Sequence, residues 1–479
     1  MEEKRVTKLI NNMIYAFTAQ GISFVLSIIM SLVIPKLLGV EEYSYWQLFI
    51  FYSSYIGFLH FGLNDGIYLR IGGVEYEKLN HRSIGSQFWL IFIFHCMLAL
   101  IVIVCSSVFV NDWNRRVVYI STAISLPLSN AIGFIGFIFQ AVNKTKIFST
   151  TVIIDKLWFI AVVIVLIILN SDSFIWFIIF SIIGNLFALL YCLLNGHKFI
   201  FIKIESIKQT LKEMTINVSV GISLMFSNIA SLLILGIGRF IVDKKWGIEV
   251  FGKFSFSLTL ATFLLAFIAQ VSMVLFPALR QTDEVQQKKF FLMSRDLLGI
   301  VLAGFLLAYM PMNYLLGIWL PQYKESLQYL ILLLPLCIYE GKMNMLCSTY
   351  FKVLRKEKLL LKINLISLLL SVMLSIIGGY LFNSIYALII LIVFAVALRS
   401  IISEYCLSKM LGGGGLKSTV AESLLVIIFM SSTWFVGPFG GFILYLLSFC
   451  TYLILSRKKL EGVMVQTRKY FSKRTSSQI

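Results

Sequence analysis

The sequence predicts an all-α polytopic membrane protein: about 14 transmembrane helices, in two pseudo-symmetric six-helix lobes plus a C-terminal helix pair. Three observations predict it. Hydrophobic residues make up 59% of the 479, and charged residues only 13%. Soluble domains carry about 45–50% and about 25%. Continuous apolar runs recur along the whole chain, each reaching the roughly 20 residues that cross a bilayer as a helix. Short motifs of the first half also return, in the same order, in the second. What lies between the runs suffices only for short loops, which argues against a large soluble domain and most soluble enzymes.

Six spans are expected near 13–34, 46–67, 84–110, 117–140, 152–169 and 174–195. They form a first lobe, residues 1–195. Residues 196–215 join the lobes. Ile200, Ile204, Ile207, Leu211 and Met214 recur there at helical spacing, with Lys203, Lys208 and Lys212 at other positions. Such a stretch suits the surface of the inner leaflet. The second lobe, residues 216–410, holds spans near 216–242, 251–275, 297–316, 326–350, 360–381 and 385–407. Gly412–Gly415 makes a flexible joint. The final section, 411–479, carries spans near 420–436 and 438–455, a Gly-Pro turn between them, and a basic tail.

The repeat rests on particular residues. Gly39-Val-Glu-Glu-Tyr43 returns as Gly247-Ile-Glu-Val-Phe251, and the same offset carries Lys36 onto Lys244 and Pro127-Leu128 onto Pro335-Leu336. Six spans bring the chain back to its starting side, so the two blocks share one orientation.

The net charge is +18, with 41 Lys and Arg. Most of these lie in segments that are cytoplasmic if the N-terminus is inside. The positive-inside rule then places both termini in the cytoplasm. The basic excess reads as contact with anionic lipid headgroups and not with nucleic acid. The N-terminus reads as retained, with no cleavage site before the first span. The seven Cys are scattered through apolar runs without a CxxC and read as small buried hydrophobes.

Polar groups inside spans are expensive and so mark candidate sites. They are Gln20, Asn64, Asp65, Gln87, His95, Gln140, Asn185, Asn228, Arg239, Gln270, Glu340, Lys342 and Arg399. A wet cavity between lobes would relieve their cost. Arg239 either snorkels outward, pairs with Asp243, or lines that cavity. Arg70 is either a boundary charge or a binding group. Lys36 and Lys244 read first as headgroup anchors. Glu340 and Lys342, two residues apart, point to different faces of their helix. His60, His81, His95 and His197 stand alone, and neither a metal-ligand spacing nor a phosphate-binding GxxxxGK[ST] loop is legible. No catalytic role, metal or cofactor is therefore expected.

The chain resembles Wzx-type O-antigen and polysaccharide flippases of the multidrug/oligosaccharidyl-lipid/polysaccharide exporter (MOP) superfamily. The carrying segments are Pro35-Lys36-Leu-Leu-Gly39-Val-Glu-Glu-Tyr43 and Phe61-Gly-Leu-Asn64-Asp65-Gly66 through Arg70. The second lobe adds Gly238-Arg239-Phe-Ile-Val242, Gly247 through Phe254, and Pro277. Relatives often have Asp where Gly238 stands here, and Gly where Ser44 stands. The resemblance implies a transporter and not an enzyme, in a bacterial inner membrane. It implies that undecaprenyl-diphosphate-linked oligosaccharide moves to the periplasmic leaflet by alternating access. A polymerase and chain-length machinery are the implied partners. Arg70, Arg239, Lys342, Lys36, Asn64 and Gln270 are then candidate contacts for the diphosphate or sugar. Asp65 and Glu340 are candidates for a coupling ion, H+ or Na+. A cation-coupled drug exporter of the same superfamily is the alternative. A membrane-embedded glycan polymerase or acyltransferase is the alternative from another class.

Overall fold

A computed structural model of the protein describes residues 2–280, 284–412 and 417–457; the side chains of 2–20, 22–26, 264, 266–267, 269–280 and 417 fall outside that description. The basic tail and Gly413–Gly415 therefore lie outside the described residues. Within them the chain is α-helical, with short 3-10 and π turns and no strand.

Two compact units emerge. One comprises Met1–Gly236 with Trp246–Ser255, the other Ile237–Lys245 with Phe256–Ile479. The first contains α1 (Glu2–Ile56), α2 (Leu63–Ile71), α3 (His81–Phe109), α4 (Trp113–Ala141), α5 (Thr145–Ile168), α6 (Phe174–Ile200), most of the 40-residue α7 (Ile207–Trp246) and the start of α8 (Ile248–Arg280). The second contains the rest of α7 and α8, then α9 (Glu284–Phe305), α10 (Tyr309–Trp319), α11 (Lys324–Leu333), α12 (Leu336–Lys342), α13 (Thr349–Val353), α14 (Glu357–Ile376), α15 (Ile385–Leu411), α16 (Lys417–Val436) and α17 (Pro438–Leu455).

Ten of the described helices are long and apolar enough to cross a membrane, or eleven if a pair bent by 49° around Leu334–Pro335 counts as one span. The expected spans at 13–34, 46–67 and 251–275 are not among them. The first and third run through residues whose side chains are not described. The second is interrupted. Helix α1 ends at Ile56, a 3-10 turn covers Gly57–His60, and Phe61 and Gly62 take left-handed φ of 50° and 82° before α2 begins.

Helix α3 shows why these helices suit lipid. Its exposed face carries Ile93, Met97, Leu100, Ile101, Val104 and Val108, while its buried face mixes Ser83, Ser86, Gln87, His95 and Ser106 with Ile84, Phe88 and Ile91. A soluble amphipathic helix keeps its apolar residues inside and its polar ones out. Inside the first unit, Leu63, Ile67, Phe88, Phe134, Phe139 and Phe199 bring α2, α3, α4 and α6 together. In hydrocarbon, close packing of this kind and hydrogen bonds hold helices together, since lipid is as apolar as the core. Side chains cap several helix starts: Asn80 accepts from the Ser83 amide, Asp112 from Arg115 and Ser384 from Ala387. Each such cap contributes about 1 kcal/mol.

The reading of all seven Cys as buried needs correction. Cys192, Cys337 and Cys347 are buried, but Cys96, Cys105 and Cys450 are exposed and Cys406 is half-buried. The exposed ones lie on outward helix faces, where a weakly polar thiol is tolerated much as an alanine would be.

The repeat-related glycines share one backbone conformation. Gly39 has φ 70° and ψ −175°, and Gly247 has φ 85° and ψ −178°. Gly437, between α16 and α17, is close to both, at φ 91° and ψ 171°. This region is open essentially to glycine alone; Gly39 kinks α1 into two helical stretches, and Gly247 and Gly437 each turn one helix directly into the next.

Candidate functional site

Two polar centres are built inside the described helices, one in each unit. In the first unit the break at Phe61–Gly62 places α2 against α7 with backbone touching backbone. A Cβ on Gly66 would lie 1.8 Å from the Asn217 carbonyl oxygen, and one on Gly62 would lie 2.7 Å from Ile222. From the other side, a Cβ on Gly221 would lie 2.1 Å from the Gly62 oxygen. Small residues four apart permit such approach between membrane helices.

That contact presents α2 side chains to α7 and α3. Arg70 Nη1 donates to Asn217 Oδ1 at 2.6 Å and lies 3.2 Å from Glu213 Oε2. Asn217 Nδ2 in turn donates to Gln87 Oε1 at 2.7 Å. One amide thus bridges three helices. Arg70 and Glu213 each keep about a third of their side-chain surface exposed (36% and 36%), so this ion pair is solvated and worth at most about 1 kcal/mol. Deeper, Asp65 Oδ2 lies 3.7 Å from His60 Nε2, while His60 Nδ1 accepts from the Gly62 amide at 2.9 Å. Asn64 is buried beside them, and its Oδ1 has no hydrogen-bond partner among the described residues.

In the second unit the charges are almost wholly enclosed. Arg399 on α15 is 0% exposed, and its Nη2 donates to both carboxylate oxygens of Glu340 at 2.6 Å. Lys342, two residues along α12, points elsewhere. It donates to Glu404 Oε2 at 3.1 Å and contacts Glu422 of α16. Arg295 of α9 pairs with Asp296 at 3.1 Å and lies 3.9 Å from Glu404. Four helices therefore meet around ion pairs. Such pairs add little net stability, yet breaking one leaves an uncompensated charge in a poor solvent.

The structure thus gathers Asn64, Asp65 and Arg70 on α2, and Glu340 and Lys342 in the second cluster. It keeps Glu340 and Lys342 on different partners, as their spacing implied. Lys36 is exposed on α1, Arg239 is half-buried on α7 with contacts of its own, and the Gln270 side chain lies outside the described residues. Reading the sequence missed Glu213 and Asn217, and in the second unit Arg295, Asp296, Glu404 and Glu422. Glu404 and Glu422 were findable, because each is a carboxylate inside an apolar run. Arg295 and Asp296 border such a run and resemble boundary charges.

The protein-family profile described as "Polysaccharide biosynthesis protein" matches residues 9–283, more than half of the chain. No curated protein matches the sequence. Among solved structures, lipid II flippase MurJ in its inward closed conformation is similar, with a TM-score of 0.67 and 14% identity over 93% of this chain and 100% of that one. A multidrug resistance MATE family transporter of the MOP superfamily, inward-facing, gives 0.59 and 11%, over 80% and 94%. The Vibrio cholerae MATE transporter VcmN gives 0.57 and 14%, over 86% and 98%. At these identities the likeness shows the fold alone. By the profile match over residues 9–283, this chain belongs to the polysaccharide biosynthesis protein family, and its fold is like those of MurJ and the MATE transporters.

Proposed function

We propose that this protein flips an undecaprenyl-diphosphate-linked oligosaccharide, an O-antigen or similar repeat unit, from the cytoplasmic to the periplasmic leaflet of a bacterial inner membrane. The family match over residues 9–283 carries the reading. The likeness in fold to a lipid II flippase over the whole of that chain supports it, because that protein is named for a lipid-linked cargo. A dianionic headgroup cannot cross hydrocarbon unaided and needs a polar path with basic groups. In this reading the chain has fourteen spans in two six-helix lobes and a C-terminal pair. The shared conformation of Gly39 and Gly247 supports the pseudo-symmetry.

Arg70 and Arg239 are the basic groups assigned to the diphosphate, because a guanidinium grips phosphate oxygens through two parallel bonds. Lys36, Asn64 and Gln270 are assigned to headgroup or sugar contacts. Lys342 is held by two carboxylates in this conformation and reaches cargo only if that cluster opens. Asp65 and Glu340 are assigned to the coupling ion.

Deleting the gene should leave surface polysaccharide unextended and strand lipid-linked repeat units on the inner leaflet. Normal surface polysaccharide with lost resistance to cationic drugs would overturn the reading in favour of a drug exporter, which the likeness to MATE transporters makes the second candidate. Within the flippase reading, Arg239→Ala should lower complementation about tenfold or more at equal membrane abundance, the scale of one lost charged hydrogen bond. Arg239→Lys should lower it less.

The orientation is tested separately. Cysteine labelling from outside should reach positions after residues 113 and 246, and labelling from inside those after 77 and 205. The reverse pattern would overturn both the orientation and the assigned direction of transport.

A further inference from the structure

Among the described side chains, the second cluster holds more carboxylates than cations. Among its described side chains there are four carboxylates, Asp296, Glu340, Glu404 and Glu422, and three cations, Arg295, Lys342 and Arg399. Arg399 pairs with Glu340, and Arg295 lies nearer to Asp296 than to Glu404. One ammonium, Lys342, then serves both Glu404 and Glu422, and all three side chains are 1–2% exposed.

The two carboxylates are unequally supported. Glu404 also accepts from the Thr419 hydroxyl at 2.9 Å and has Arg295 at 3.9 Å. Glu422 has, besides Lys342, only a long hydrogen bond of 3.4 Å from Ser418 on its own helix. Its carboxyl meets α9 with Oε1 leading, and a Cβ on Gly299 would come within 2.0 Å of that oxygen. Among the described side chains the other ionisable groups near it are Tyr339 on α12 and Tyr452 on α17, with Cys347 close to Lys342 and Glu404. None of these supplies a second positive charge.

An ionised carboxylate without its own counter-charge, out of water, costs several kcal/mol. A buried group in that position neutralises instead. We propose that Glu422 is a proton-binding site: protonated in this conformation beside ionised Glu404 and Lys342, and deprotonated when the cluster opens to water. The step is a plain proton transfer. An O–H bond forms on Glu422 as hydronium becomes water, and the reverse returns the proton. The proposal concerns a residue that neither the family resemblance nor the reading of the sequence assigned. It holds whichever cargo the protein carries.

The test is infrared spectroscopy of the purified full-length protein in lipid nanodiscs, following the C=O stretch of protonated carboxyls at neutral pH. Wild type should show a carboxylic-acid band that Glu422→Gln abolishes and that Glu75→Gln, at an exposed loop carboxylate, leaves intact. If Glu422→Gln does not fold, Glu422→Asp decides, because it keeps the acid and should shift the frequency of the band at unchanged intensity. A band unchanged in Glu422→Gln, unshifted in Glu422→Asp, or missing from wild type would overturn the proposal.

Discussion

Replacing Arg399 with alanine should cut the amount of protein in the membrane severalfold and lower its thermal midpoint in detergent by many degrees. Arg399 is wholly buried, and its Nη2 lies 2.6 Å from both oxygens of Glu340. Its removal leaves that carboxylate without its counter-charge in the same enclosed space. Breaking a buried pair from one side costs about 3–5 kcal/mol, a large part of the 5–15 kcal/mol or so that holds a typical protein folded. The sign reverses when both partners go. Arg399→Leu with Glu340→Leu should restore abundance towards wild type, since apolar side chains of similar size satisfy the site without desolvating charge. Quantitative immunoblotting of membranes and a melting curve check both arms. Wild-type abundance of the single variant would mean that Glu340 does not depend on Arg399. Loss of transport in the double variant, with abundance restored, would assign Glu340 to the ion-coupled step and not to folding.

The second large effect is expected at Gly66. A valine there would drive its Cβ into the Asn217 carbonyl, 1.8 Å away, and neither backbone can yield without moving a whole helix. Overpacking a core by a methylene or two costs about 1–3 kcal/mol. Here the obstacle is main chain, so the cost should exceed that range. The separation of α2 from α7 would also break the bridge from Arg70 through Asn217 to Gln87. Gly66→Val should therefore abolish function in cells. Asn217→Ala, which removes the bridge but keeps the fit, should lose only part of it. Gly57→Ala is the control, because nothing lies within 4 Å of its added Cβ. Complementation normalised to abundance separates the three. Equal activity of the Gly66 and Gly57 variants would rule out a close α2–α7 contact in the working protein.

Much of this was written in the sequence at the level of type and order. Apolar runs marked the membrane helices, because a bilayer demands length and hydropathy and little else. The recurrence of Gly39 as Gly247 marked a repeated turn, and the two glycines share their dihedral angles. The interruption of the second run was legible only in part. Phe61-Gly62-Leu63-Asn64-Asp65-Gly66 holds two glycines and a polar pair, and Gly62 takes a positive φ, but the close approach of Gly62 and Gly66 to α7 joins residues more than 150 apart in sequence. The partners of the buried charges were hidden for a similar reason. Arg399, Glu340 and Lys342 stood out as charges in apolar surroundings. Which one meets which depends on helix rotation and depth, and a span list holds neither. The sites most dependent on tertiary packing were thus the least visible one residue at a time.

The single-residue turns at Gly39, Gly247 and Gly437 have a mechanical consequence. A joint of one residue has no slack, since an extended residue reaches only about 3.3–3.6 Å. Two rods pinned in this way can pivot about the pin, but neither can be drawn along its axis without taking the other with it. Elsewhere the linkage is looser. Residues 201–206, between α6 and α7, run without helix. Axial travel applied to one helix of a pinned pair therefore emerges undiminished in its mate, and the compliance of the machine is confined to its longer connectors.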